Sequence, residues 1–485
     1  SFPTAIDTNA WAMLGKDQYH TSFANVSGPG SGATIIWEFS VGPETNPLDN
    51  VFRSDGLNAS CSNGGDNVRL FDYLHNSLGA YPCSGQYFNT WDSNFNSSFN
   101  DTIFTEFEQV GTLPCGSYEE CENAETTLAV RQVVLRADGW TAPPAGSVND
   151  AVVSADGDIY FGASDGISHK LIKLDKNGLK QWEYGTNVSI GTPAVLSDEV
   201  VYFGRIGAGG VLSFTALNSD GSKKWDYDDA STVKAVAVSE NGEPHFTFSS
   251  GANKLAVLNI DGSAKTVVSN PGLSGFVPII LGDGTIITTR RDSGNQFFNA
   301  YSADGTQLWA EELFYTGANG SIQSNPSYDQ ITGKTYSAIG YDGGTSFGFR
   351  IFVIPSGGSV LNTTTIDPAS NGSGATMVSI APNNLLVGLD YSWANPASGS
   401  KLFSLNKSDL SINWAFQAEG KVNQQIAVDK DGNAYFSTQS GHIYSVDSAG
   451  QERWHISSGT NSVISPVLTE NGIIWGYGSR LVGVK

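Results

Sequence analysis

The chain has 485 residues, 39% of them apolar and 15% charged, with 26 basic side chains against 48 acidic ones. A formal charge of −22 is the opposite of the clustered Lys and Arg that phosphate-backbone binding needs, so no nucleic-acid partner is expected. No run of about 20 apolar residues occurs, so no helical membrane span is expected, and the length suits one large domain with a decoration.

Residues 1–44 contain WAMLGKDQYHT, Trp11 to Thr21, and reach an apolar segment, TIIWEF, around Trp37. No secretory leader is visible at Ser1, and the numbering reads as that of a mature protein. Residues 45–147 hold all four cysteines, Cys61, Cys83, Cys115 and Cys121, among aromatics such as Phe71, Tyr73, Tyr87 and Trp91. Four cysteines allow three pairings, of which loop length favours Cys61 with Cys83 and Cys115 with Cys121. The spacings fit no common zinc pattern, so disulfides in an oxidising compartment are expected. The aromatic content points to an insertion that packs as a cap on the rest of the chain, the alternative being a mobile appendage.

From residue 148 onward one phrase recurs: an apolar strand, a polar turn with Asp, Asn or Gly, then a strand closing on Trp. It reads LIKLDKNGLKQW at 171–182, SFTALNSDGSKKW at 213–225, FNAYSADGTQLW at 298–309, LFSLNKSDLSINW at 402–414 and IYSVDSAGQERW at 443–454. Residues 256–266 and 351–362 keep the strand-turn-strand pattern without the Trp. A split copy joins LVGVK at 481–485 with TIIWEF, which predicts that the two chain ends share one unit and hide its edges. Repeats of about 40 residues made of short strands are blades of a β-propeller. Innermost strands starting near Asn149, Thr192, Lys234, Val277, Gln323, Met377, Asn423 and Ser465 predict an all-β, eight-bladed ring.

One face carries tight turns such as SADGD, SENGE, GDGT and DKDGN, whereas the other carries irregular loops at 204–210, 289–296, 340–349 and 389–401. Variable loops on a rigid ring are where binding residues gather, so the site is expected on the second face. Scarce cations fall there: Arg205, Lys234, Arg290 and Arg291, with Arg480 at the end of the last such loop. They form a candidate clamp for a carboxylate; the alternative is that each pairs with a nearby acid such as Asp292. Asn149, Asp150, Gln323, Asn325, Asn423 and Gln424 at the mouth suit a hydroxyl-rich ligand or ordered water. The longest loop adds Asp390, Tyr391 and Trp393, where the two rings either stack on a ligand or anchor their loop. His169 and His442, near the starts of third strands, are candidate general bases with Tyr391 as acid in an elimination, against a structural role for either. DKDGN at 429–433 resembles half a calcium loop without its downstream acid and is read as a turn. No metal and no cofactor are expected, and no serine elbow or phosphate-binding glycine motif occurs.

Sequons at Asn25, Asn58, Asn96, Asn100, Asn187, Asn319, Asn362, Asn371 and Asn406 join the cysteines in suggesting a secreted eukaryotic glycoprotein, with a fungal origin as the expectation.

The repeat phrase, together with WAMLGKDQYHT, resembles the tryptophan-docking motif of quinoprotein alcohol dehydrogenases, the pyrroloquinoline-quinone-type repeat, over roughly residues 9–42 and 148–485. The resemblance implies the fold, which hosts dehydrogenases, lyases and pure binders alike. Dehydrogenases of that family hold their quinone beneath a disulfide between adjacent cysteines and beside a calcium ion. This chain has no adjacent cysteines and departs from that pattern. The expectation is a monomeric, secreted propeller binding a small organic or carbohydrate ligand, with lyase or isomerase/cyclase chemistry as its enzymatic form. The alternatives are a protein-binding scaffold and, disfavoured, a quinone-dependent dehydrogenase.

Overall fold

Runs of Val, Ile, Tyr and Phe broken by Asp-Gly and Asn-Gly turns make each repeat a small antiparallel meander. The computed structural model describes residues 22, 24, 26–30 and 33–40, strands at 67–71, 77–82, 104–109 and 128–133, and residues 147–485 except 165–167, 197–198, 207–213, 229–231, 234, 251, 270–275, 293–294, 314–320, 323–324, 343–346, 367–373, 391–399, 423, 459–462 and 479. The described residues contain no helix. In the first blade, Val152–Val153, Ile159–Ser164, His169–Leu174 and Lys180–Thr186 pair in chain order from the inside outward. The next six blades repeat that order from innermost strands Ala194–Val195, Ala237–Val238, Ile279–Ile280, Ser327–Asp329, Ser379–Ile380 and Ala427–Val428. The eighth combines Val467–Thr469, Gly472–Tyr477 and Arg480–Val484 with Ile35–Ser40 as its outermost strand, which makes an eight-bladed β-propeller.

The recurring Trp has one task, repeated along the ring. Trp182 donates its indole N–H to Ser219 O of the next blade at 2.8 Å, Trp225 to Ile260 O at 3.0 Å, Trp309 to Ser356 O at 2.9 Å and Trp414 to Ser448 O at 2.9 Å. Each acceptor lies two residues before a glycine with positive φ: Gly221 at 81°, Gly262 at 85°, Gly358 at 84° and Gly450 at 85°. Glycine is required there twice over. The backbone is left-handed, and a Cβ on Gly262 would fall 2.6 Å from the Trp225 ring. The third blade has Thr266 in place of Trp and keeps the link, with Oγ1 donating to Ala303 O at 3.1 Å. Beneath the indoles lie tyrosines, Tyr160 against Trp182 at 5.9 Å and Tyr202 against Trp225 at 5.6 Å between ring centroids.

The amino-terminal segment completes the pattern where the eighth blade lacks a continuous outer turn. Trp454 donates to Pro29 O at 3.3 Å, and Thr34 and Lys485 exchange two backbone bonds of 2.9 Å each. Upstream, Ala24 N reaches Val428 O at 2.8 Å and Val428 N reaches Ser22 O at 2.9 Å, so the chain start runs beside an innermost strand. Asp429 ties the two together. Its Oδ2 accepts from Gly28 N at 3.1 Å and Tyr435 Oη at 2.9 Å, while its Oδ1 accepts from Asp431 N at 3.0 Å and Asn433 N at 2.8 Å. DKDGN is therefore a turn whose carboxylate anchors the chain start. One apolar cluster joins Ala24, Val148, Tyr435 and Trp475, so the first, seventh and eighth blades share a core.

Two expected outcomes follow from these contacts. Trp414→Phe keeps most of the ring but loses the bond to Ser448, and should cost about 1 kcal/mol in urea unfolding; Trp414→Ala should cost about 2 kcal/mol or more. His245 is buried at the register position that Tyr160, Tyr202 and Tyr435 occupy in other blades, opposite Ala237. Burial pushes its imidazole down to about 4, against the opposing pull of the Glu243 carbonyl and charge. The unfolded chain then takes up a proton between about pH 6.5 and 4 that the folded chain refuses, so stability falls over that window by about 3 kcal/mol. His245→Tyr should remove that part of the acid sensitivity in parallel thermal melts at pH 7 and pH 4.

Candidate functional site at the loop-rich face

The residues that lead into the innermost strands form the candidate mouth at the loop-rich face. Polar side chains there have backbone groups of the neighbouring blade within reach. Asn149 Nδ2 donates to Ile190 O at 2.5 Å, and Asn325 Oδ1 accepts from Val277 N at 2.9 Å. Gln424 Nε2 donates to Val463 O at 3.3 Å, and Ser379 Oγ donates to Ile426 O at 2.6 Å. Each bond crosses from one blade to the next. The amides predicted from sequence as ligand contacts thus also hold blades in register.

Asp150 and Gln424 are brought together through Ser465 where the seventh, eighth and first blades meet, whereas Asn149 turns its amide to the second blade. Asp150 Oδ1 accepts from Ser465 N at 2.9 Å, and Ser465 Oγ lies 3.5 Å from Gln424 Oε1. Asp150 retains some contact with solvent yet is surrounded by protein. Desolvation raises its carboxyl above the usual aspartate range, opposed by hydrogen bonds from the Ser465 backbone and hydroxyl. A carboxyl so placed is a proton acceptor of more than ordinary basicity, linked through Ser465 to the Gln424 amide.

The described arginines of the predicted clamp each have a contact within their own blade. The Arg290 guanidinium lies over the Phe297 ring of its own hairpin, 4.0 Å from the centroid, and Arg480 lies 5.9 Å from that of Tyr477. Arg205 acts on the outer strand of its own blade: desolvation pushes the Asp226 carboxyl up, and the Lys223 and Thr215 hydrogen bonds, with the Lys223 and Arg205 charges, bring it below the usual range. Arg291 and Asp390 lie in Ile286–Asp292 and Asn384–Asp390 with side chains outside the described residues. Lys234, Gln323, Tyr391, Trp393 and Asn423 lie outside the described residues, as do all four cysteines and the sequon residues Asn25, Asn58, Asn96, Asn100, Asn319 and Asn371. Asn362 begins Asn362–Ile366, its side chain again outside. Asn187 is exposed in a turn, whereas Asn406 Oδ1 accepts from Ser408 N at 2.8 Å.

The two candidate histidines sit in different settings. His169 starts the third strand of the first blade, where its carbonyl accepts from Thr186 Oγ1 at 3.2 Å. His442 starts the third strand of the seventh blade and belongs to a cluster at the outer rim. Its ring centroid lies 5.6 Å from that of His455 and 5.8 Å from that of Tyr444. Its Nε2 is 3.7 Å from Glu419 Oε2, while His455 Nδ1 is 2.8 Å from Glu452 Oε1. Sequence reasoning missed His455, Glu419 and Glu452 because the grouping depends on hairpin register. The register that opposes Tyr444 to His455 places His442 diagonally across from it.

The donor set at the mouth does not suit a quinone with calcium. The mouth offers one described carboxylate, Asp150, its amides have partners in adjacent blades, and the chain has no adjacent cysteines. Among the described residues no three His, Cys, Asp or Glu side chains converge to hold a metal. These residues do not match such a cofactor, and no step is derived through one.

The family model for the outer membrane protein assembly factor BamB matches residues 136–311. No curated protein matches the chain. Among solved structures, the C-terminal WD40 domain of Sif2 is 13% identical with a TM-score of 0.50, over 70% of this chain and 96% of that one. BamB from Moraxella catarrhalis is 14% identical with a TM-score of 0.49, over 70% and 94%. Quinohemoprotein alcohol dehydrogenase from Comamonas testosteroni is 12% identical with a TM-score of 0.45, over 99% and 81%. The matched residues span the first four blades, in which Trp182, Trp225 and Trp309 make the indole-to-carbonyl contact. Residues 136–311 are thus similar to that family, and the chain has the fold of an eight-bladed β-propeller.

Proposed function

We propose that this chain is a secreted glycoprotein propeller that binds a small hydroxyl-rich ligand, carbohydrate or organic acid, at the mouth between the seventh, eighth and first blades. The observation that carries the reading is Asp150, a half-buried residue whose carboxyl is raised by desolvation and linked through Ser465 to the Gln424 amide. A carboxyl with amide neighbours offers both donors and acceptors, which is what sugar hydroxyls require. The cysteine-bearing insertion and the sequons support an extracellular setting. If the protein turns its ligand over, a lyase or isomerase step would draw on Asp150 as base, since a raised carboxyl accepts a proton more readily at neutral pH.

The test is calorimetric titration of the whole protein with neutral oligosaccharides, uronic acids and pyrroloquinoline quinone with calcium. Neutral or acidic sugar binding that weakens about tenfold in Gln424→Ala supports the reading. Binding of the quinone alone, or of no member of the panel, overturns it. Asp150→Asn keeps an acceptor for Ser465 N and removes the charge. Below the ordinary aspartate pKa both states of the native chain are protonated there; as pH rises toward the raised value, the unfolded chain ionises first and stability is lost. Asp150→Asn should therefore gain stability relative to the native chain from pH 4 to pH 7 in paired thermal melts.

A further inference from the structure

We infer that the rim of the seventh blade binds a borderline divalent cation of the zinc class, through His442 Nε2, His455 Nε2 and the Glu419 carboxylate. The two imidazoles project from neighbouring strands of one hairpin, His442–Val446 and Glu452–Ser457, in diagonal register. Their centroids are 5.6 Å apart and their planes are inclined at 62°. A tetrahedral ion held by two imidazole nitrogens at about 2.0–2.1 Å places the ring centroids about 5 Å apart, so little movement is needed. Tyr444 lies between the rings and the blade core, 5.8 Å from His442 and 5.3 Å from His455. It is held in turn by Phe416 at 5.7 Å and Phe436 at 5.4 Å, so the platform spans the seam between the sixth and seventh blades.

Three further observations point to a cation. His442 Nε2 and Glu419 Oε2 face each other at 3.7 Å, too far for a hydrogen bond and near the about 3.4 Å that two ligands of one tetrahedral ion adopt. His442 Nδ1 is buried without a hydrogen-bond partner, so the outward nitrogen is the one left to act. Glu452 contacts His455 Nδ1 at 2.8 Å, the carboxylate contact that orients a metal-binding imidazole and leaves Nε2 as the ligand. No three donors converge on one point in the present arrangement. Glu419, whose side chain is 80% exposed, turns freely to supply the third, and water fills the fourth position. Glu452 is a positioning residue, set behind the ligand.

The experiment is isothermal titration of the chelator-treated whole protein with zinc chloride, with calcium and magnesium chlorides in parallel. The expected result is one saturable zinc equivalent and no comparable response to the hard cations. It should vanish in His455→Ala and weaken about tenfold in Glu452→Gln, and each variant should melt near the native temperature because the site lies at the rim. His442→Ala should also lose it; if that variant fails to fold, Glu419→Gln serves as the second ligand test. Absence of saturable zinc binding, an equal response to calcium, or zinc binding unchanged in the His455→Ala, Glu419→Gln double variant overturns the assignment.

Discussion

One contact, an indole N–H given to a carbonyl of the next blade, sets what the rest of the ring can be. No blade holds both halves of it. Trp182 is supplied by the first blade and satisfied by Ser219 of the second, and Trp225 by the second and satisfied by Ile260 of the third. A four-stranded sheet of this size cannot bury its own apolar faces, so its stability resides in nearest-neighbour seams. The acceptor turn pays in sequence freedom: Gly221, Gly262 and Gly450 leave no room for a Cβ beneath the ring. Thr266 shows which half matters more at a seam, since it keeps the bond to Ala303 while giving up the ring. In the last blade the missing turn is replaced by Pro29, which makes the amino terminus part of the docking system.

The same economy governs the mouth. Polar residues at the starts of innermost strands lie too close to neighbouring backbone to remain uncommitted, and an unpaired buried amide costs more than a bond returns. Asn149, Asn325 and Gln424 each bond a backbone atom of an adjacent blade. A ligand there would meet groups whose positions are already fixed by the ring, which lowers the ordering cost of binding. Asp150 stands apart because desolvation, the larger influence, keeps its carboxyl reluctant to ionise even with Ser465 beside it.

Blade number, strand order and the sharing of one sheet by both chain ends were legible because each is written in spacing. The Trp-to-Gly distance marks the seams, and the split phrase identifies Ile35–Ser40 as a partner for Arg480–Val484. Side-chain direction was not legible in the same way. Arg290 is visible as a charge in a loop-face hairpin, whereas the contact of its guanidinium with Phe297 follows from the register that opposes the two. His442 was visible as a histidine at the start of a third strand, whereas its partnership with His455 required the register that opposes Tyr444 to His455 and the shift at Ser445 and Val446. Composition reports which groups exist; only register reports which of them meet.

Both sites bridge seams instead of sitting within a blade. The mouth gathers groups from the seventh, eighth and first blades, and the rim cluster sets Glu419, just past the sixth blade's outer strand, against His442 of the seventh. A ligand held across a seam binds the docked arrangement and has no purchase on an opened one, so occupancy adds to the same free energy that the indole contacts supply. Seams weakened by the loss of a Trp are where that coupling is largest in relative terms. Trp414 docks the sixth blade on Ser448, in the turn between the strands that carry His442 and His455. That places the rim cluster and the docking contact on one hairpin, with the indole at the tight-turn end and the imidazoles toward the loop end. An ion at the rim would therefore brace the seam at the end that the tryptophan does not reach.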